Sequence, residues 1–288
     1  MTLRFAQGLG LGGEWGGAVL MVAEHGPEER RGLYSSWPQV GVPAGNLLAA
    51  GVLALLGAVL SESAFDSWGW RVPFLLSALL IGVGLWIRLR VEESPLFQEL
   101  EETGEKEQAP LVKVVKCYPR QLGIAIAARF GVDVAFYTFA LFILTYVTEQ
   151  LGLSKNLALS GVLVGSALQL FLIPYFGVGG HVCHSAMYGP QAAFITELFG
   201  TDVRYSGASL GYQVAGVLGG ALAPIIAVAL LNKYGSGLAV ALYVLASLIV
   251  TIVAVALARE TAAVDLRADR PEEETGSEQR PGLRPVFH

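Results

Sequence analysis

The chain has 288 residues, 53% of them hydrophobic and 15% charged, with a mean hydropathy of +0.55 and a formal charge of −5. That balance excludes a soluble enzyme and a nucleic-acid-binding module. The carboxylates collect in two polar segments, 92–107 and 260–278, no basic patch stands out, and the 35 glycines exceed the share of roughly 7% usual in soluble chains.

Apolar segments follow one another at about 3–23, 36–60, 71–89, 122–148, 157–177, 182–199, 206–231 and 236–258. A helix needs about 20 predominantly apolar residues to cross a bilayer, and where lipid surrounds it, length and flanks replace periodicity as the signal. The expected architecture is therefore an all-α, polytopic transmembrane helical bundle. Short polar turns separate most segments, and one connection is longer: residues 91–119 form a charged linker with a short amphipathic stretch near 111–116. The linker divides three helices within 1–90 from the segments within 120–260, and the Glu-, Arg- and Pro-rich tail, 261–288, reads as disordered. No signal peptide is expected, because Met1-Thr2-Leu3 runs directly into the first segment without a basic leader.

Loop charge supplies an orientation, since cytoplasmic loops are enriched in Lys and Arg. Arg30 and Arg31, the basic residues between 88 and 120, Arg204 and those of the tail fall on one side if linker and tail are cytoplasmic; only Arg71, Lys155 and Lys233 fall on the other. Strict alternation of all the segments contradicts this assignment. One crossing too many lies between Leu157 and Phe199, and the junction Phe176-Gly177-Val178-Gly179-Gly180-His181 is where a deletion is expected, near 177–181.

Ionisable groups within apolar helices are costly, so they mark function by default. In the first helix Gln7 and Glu14 are seven residues apart and share a face, with Arg4 about 60° round from Gln7. Arg129 and Asp133 are spaced i,i+4, close enough for a salt bridge, and Tyr137 extends their face by one turn. Further polar candidates on apolar helices are Gln39, between Pro38 and Pro43, and Tyr188, Gln191, Glu197, Tyr212 and Gln213. Each could line a cavity or hydrogen-bond to a neighbouring helix. Gly8, Gly12 and Gly16 follow small-xxx-small spacing, which lets helix backbones approach closely.

Other patterns carry no chemistry. Residues 8–13 satisfy G-x-G-x-x-G without a preceding strand, and 207–211 satisfy G-x-S-x-G at the opening of an apolar helix instead of a strand-to-helix elbow. Cys117 and Cys183 have no framework spacing, and His181 with His184 lacks a carboxylate partner on a second element. Neither a metal nor a cofactor is called for, and no clustered His, Asp or Ser constellation suggests an enzyme.

The runs RFAQGLGLGGEWGGAVLMVAEH, PEERRGLYSSWPQVGVPAGNLLA, WGWRVPFLLSALL, RLRVEESPLFQE, AMYGPQAAFITELF and VRYSGASLGYQ together resemble the metabolite:proton symporter family of the major facilitator superfamily. The resemblance implies a fold of twelve helices in two bundles around a central cavity, with alternating access. By it the chain begins at the family's fourth helix and has no counterpart of the ninth, so that about seven or eight of twelve helices are present. It implies proton-coupled uptake of a small carboxylate-bearing or zwitterionic metabolite across the plasma membrane. Protons and the lipid bilayer are the other partners. The position of Arg4 is associated in the family with proton coupling, Glu14 and Asp133 are the candidate proton carriers, and Arg129 resembles a substrate or coupling site, although the family more often has glutamate where Asp133 stands. Gln7, Gln39, Tyr137, Tyr188, Gln191, Tyr212 and Gln213 are the remaining candidate substrate contacts. The alternatives are a non-transporting fragment of such a carrier and an efflux antiporter; the antiporter-type glycine-proline signature is absent from 36–60.

Overall fold

A computed structural model describes residues 2–27, 30–90, 109–178 and 184–259. The linker before residue 109, the junction at 179–183 and the tail beyond 259 lie outside the described residues, as do the side chains of Arg4, Gln7 and His184.

The described residues form helices and no strand: α1 (Thr2–His25), α2 (Arg31–Val59), α3 (Glu62–Ser67), α4 (Val72–Arg88), α5 (Pro110–Cys117), α6 (Pro119–Tyr137), α7 (Lys155–Val178), α8 (His184–Glu197), α9 (Arg204–Ala215), α10 (Ala223–Tyr234) and α11 (Gly237–Leu257). Local chemistry places their ends. Ser61 caps α3, its hydroxyl accepting the N–H of Ala64 at 3.4 Å, and Ser236 caps α11 by accepting from Leu238 at 3.1 Å. Gly235 ends α10 at φ 61°, a left-handed conformation in which glycine carries no Cβ penalty.

Six helical stretches among the described residues are long and apolar enough to cross a membrane: Arg31–Val59, Gly69–Arg88, Pro119–Gln150, Leu159–Phe176, Arg204–Tyr234 and Gly237–Leu257. Two of them run through π-helical turns, α6 continuing across Thr138–Phe142 and Tyr146–Gln150, and α9 passing into α10 across Gly216–Ala221. The two other expected crossings differ in opposite ways. Helix α1 has 24 residues, but its Glu and Gln residues and its glycines hold its hydropathy down. Helix α8 has only 14 residues, about 21 Å at 1.5 Å per residue, short of the roughly 30 Å hydrocarbon thickness.

Close backbone approach sets the packing. The N–H of Gly131 in α6 donates to Thr251 Oγ1 in α11 at 2.9 Å, and that hydroxyl donates to the carbonyl of Ala127 at 2.8 Å. A Cβ on Gly131 would lie 2.5 Å from the carbonyl oxygen of Ser247. Gly131→Ala is therefore expected to lower stability by about 1–3 kcal/mol through overpacking, read as a lower melting temperature in detergent. Of the glycine run in α1, Gly16 meets α9, where an added Cβ would fall 2.1 Å from Ser209 Oγ, and the Gly13 carbonyl accepts from the Tyr205 hydroxyl at 3.0 Å. The small-residue run thus serves packing at these positions.

The apolar core at one end of the bundle joins Val114 of α5 with Ala125, Ile195, Leu198, Phe199, Val203 and Ala208. A second cluster joins Val132, Ile173 and Tyr188, with Val40 of α2 against it. Helices α1 and α2 thereby pack directly on α7, α8 and α9. Helix α4 buries no residue, and Phe74, Leu75, Leu79 and Ile81 stand exposed, as side chains on a lipid-facing helix do.

Candidate functional site

Where α1 and α2 meet α6, α8 and α9, the interior is polar. Arg129 and Asp133, one turn apart on α6, form the ion pair their spacing predicts, Nη2 to Oδ1 at 2.9 Å, and both are buried. Arg129 Nη1 donates to Gln191 Oε1 of α8 at 3.0 Å, and Gln191 Nε2 donates to the Ala128 carbonyl at 3.1 Å, which fixes the amide's orientation. The guanidinium carbon lies 3.5 Å from the ring centre of Tyr212 and 5.4 Å from that of Tyr188, so two aromatic faces stabilise its charge. The two tyrosine hydroxyls are 3.5 Å apart.

The network continues into α1 and α2. Trp15 stacks on Tyr212 with ring centres 3.8 Å apart and planes 23° apart; with Arg129 so close to the same ring centre, the indole must occupy the opposite face. Trp15 Nε1 donates to Gln39 Oε1 at 2.8 Å, and the fully buried Gln39 donates through Nε2 to the Tyr188 carbonyl at 3.1 Å. A continuous chain of contacts therefore runs Trp15–Gln39–Tyr188–Tyr212–Arg129–Asp133, across five helices.

Two buried atoms in it have no hydrogen-bond partner, Arg129 Nε and Asp133 Oδ2. Buried polar groups are normally satisfied, so a free donor and a free acceptor on one ion pair leave the pair able to engage a ligand or a proton. The backbone of α9–α10 comes close here because it lacks side chains. A Cβ on Gly219 would lie 3.1 Å from the Asp133 Cβ, and one on Gly220 would lie 2.7 Å from the Tyr137 ring.

Of the residues singled out from sequence, Arg129, Asp133, Gln39, Tyr188, Gln191 and Tyr212 are brought together. Tyr137 packs half-buried against Gly220, and Gln213 is half-buried next to Tyr212 in the chain. Glu14 is exposed on α1 and takes no part in the cluster. The placement of Arg4 and Gln7 side chains lies outside the described residues. Trp15 was missed, although a tryptophan in a glycine-rich helix directly after Glu14 was a visible signal.

Toward the end where α1 finishes and α2 starts, a second charged cluster joins the same helices. Arg31 of α2 meets Glu197 of α8 at 3.2 Å, and Glu24 of α1 meets Arg204 of α9 at 3.5 Å, all four side chains being buried. Arg204 also donates from Nε to the Phe199 carbonyl and from Nη2 to Thr201 Oγ1, each at 3.3 Å. Glu197, expected to line a cavity or bond a neighbouring helix, is an ion-pair partner. Arg204, read only as a topology marker, is a buried structural charge.

The family profile described as Major Facilitator Superfamily matches residues 1–184. The chain is 35% identical to an inner membrane metabolite transport protein of Escherichia coli, over 90% of this chain and 69% of that protein. It is 32% identical to the shikimate transporter of the same organism, over 91% of this chain and 70% of that one, and 33% identical to its proline/betaine transporter, over 62% and 37%. The first of these alignments runs over 305 positions, more than the 288 residues of the whole chain, so that relative has residues inside the matched region for which this chain has no counterpart. No solved structure matches the chain.

Proposed function

The chain belongs to the major facilitator superfamily, and from that premise we propose that it is a proton-coupled symporter taking up a small carboxylate-bearing metabolite by alternating access. That it is a multi-pass membrane protein and a transporter, not an enzyme, follows from the family and its relatives. The observation that carries the finer reading is the buried Arg129–Asp133 pair with one unsatisfied donor and one unsatisfied acceptor, linked through Tyr212 and Tyr188 to Trp15 and Gln39 on the other side of the linker.

A guanidinium presents its N–H groups in a planar fork that matches a carboxylate bidentately, so Arg129 is the anion receptor. Its present partner Asp133 competes with that anion. When Asp133 takes a proton, it ceases to neutralise Arg129 and the arginine accepts the substrate's carboxylate; when substrate leaves, Asp133 returns its proton and closes the pair again. Proton and substrate binding are thereby coupled through one side chain. Tyr188, Tyr212 and Gln191 hold Arg129, Gln39 holds the Tyr188 backbone, and the four supply hydroxyl and amide contacts to the rest of the substrate. The Arg31–Glu197 and Glu24–Arg204 pairs clamp the far end shut in this state. Because basic loop residues gather on that side, it is the cytoplasmic one, with linker and tail, and the membrane is the plasma membrane.

The test is uptake by proteoliposomes containing the purified chain, with radiolabelled shikimate, citrate, proline and betaine outside and a pH-sensitive dye inside. Substrate-dependent acidification of the lumen is expected. Asp133→Asn should abolish it while Glu14→Gln, altering an exposed residue, leaves it intact. Acidification unchanged in the Asp133 variant would refute the coupling role, and reversal of the two results would transfer that role to Glu14.

A further inference from the structure

The eight-residue helix α5 is not needed to cross the membrane, yet it is built firmly into the bundle. Val114 is fully buried against the α6–α8–α9 core, and Lys113 Nζ meets Asp202 Oδ2 at 2.6 Å. Its other side is unlike a solvent face. Leu111, Val112 and Val115 are each more than half exposed, and at 100° per residue they fall within an arc of about 100°, bordered by the exposed Lys116.

The level of α5 in the membrane follows from α11. That helix has 21 residues, about 32 Å, which matches the hydrocarbon thickness, so its last residue, Leu257, marks the boundary. Arg120, three residues beyond the end of α5, is exposed and donates from Nη2 to the Leu257 carbonyl at 3.5 Å. The end of α5 thus sits at the depth where acyl chains give way to headgroups. An apolar arc flanked by cations at that depth has the chemistry of a helix lying in the interface, its apolar side toward the acyl chains and its basic residues toward anionic phosphates.

We infer that α5 is an in-plane docking helix that binds the anionic surface of the leaflet, with Leu111, Val112 and Val115 dipping below the headgroups and Lys116 and Arg120 pairing with lipid phosphate. The Lys113–Asp202 bridge links its seating to the 200–203 turn, where Thr201 accepts from the closure residue Arg204.

The test uses the full chain in nanodiscs with and without phosphatidylglycerol, and a nitroxide at one of two places. One is Val115→Cys in a background in which Cys117 and Cys183 are serine; the other is the native Cys117 with Cys183 alone changed to serine, exposed and about 160° round the helix from Val115. Oxygen should relax the Val115 label severalfold more than a water-soluble nickel chelate does, and the Cys117 label should show the reverse. Added phosphatidylglycerol should slow the Val115 label, and Lys116→Gln with Arg120→Gln should remove that response. Equal chelate access at both positions would overturn the proposal. So would protection of the Val115 label from both reagents, which would mean that another protein segment or a second copy of the chain covers this face.

Discussion

Arg129→Lys is expected to reduce the initial rate of metabolite uptake by about 10- to 100-fold, with the protein still folded. The lysine keeps the charge and can still pair with Asp133, but it loses the planar fork that reaches Gln191 and lies over Tyr212. A hydrogen bond to a charged group contributes about 1.5–3 kcal/mol, and each 1.4 kcal/mol is tenfold in affinity, which sets that range. Uptake and substrate binding measured on the same preparation separate a weaker receptor from a slower transport step. Arg129→Ala should behave differently: it strands Asp133 as a buried charge, costing about 3–5 kcal/mol, so that unfolding is expected with loss of transport. A paired change, Arg129→Leu with Asp133→Leu, should recover much of the stability and none of the uptake. Transport by that double variant would remove the ion pair from the mechanism.

Glu197→Gln is expected to open the clamped end. It removes the carboxylate that faces Arg31 across 3.2 Å and leaves a neutral amide beside a buried guanidinium. Loss of one member of a buried pair costs about 3–5 kcal/mol, and here the cost falls on the closed state alone, because opening hydrates the arginine. At 1.4 kcal/mol per tenfold, the ratio of closed to open protein should fall by about two orders of magnitude or more. Alkylation of a cysteine placed at Val40, half-buried beside the central cluster, reports this as a faster reaction with a reagent supplied from that side. Exchanging the pair, Arg31→Glu with Glu197→Arg, should restore the slow rate. If Glu197→Gln leaves alkylation unchanged, the pair is a packing contact only.

The Arg129–Asp133 pair was legible in the chain because i,i+4 spacing on a helix already decides that two side chains meet, whatever else surrounds them. The length and composition of the apolar runs similarly decided that the fold is an all-α membrane bundle, since a span's length is a property of a single segment. Gln39, Tyr188, Gln191 and Tyr212 could be named as polar residues on apolar helices, but not assigned to one another: their partners lie 24 to 149 positions away in the chain. Glu14 shows the converse. Its cost in an apolar helix made it a candidate, and only the rotation of α1 against α9, set by Gly16 on Ser209, turns it outward and Trp15 inward.

By itself, then, the sequence determined the membrane class, the positions of six of the eight expected spans to within about five residues, the i,i+4 ion pair and the family, because each depends on local spacing or on several motifs read together. The tertiary structure alone decided which polar residues share a cluster, that Glu24, Arg31, Glu197 and Arg204 pair at one end of the bundle, and that α5 buries Val114 in the core while Leu111, Val112 and Val115 stay exposed. Those outcomes depend on how helices distant in sequence rotate and cross, and that is settled by close backbone contacts at glycine and by the need to neutralise each buried charge.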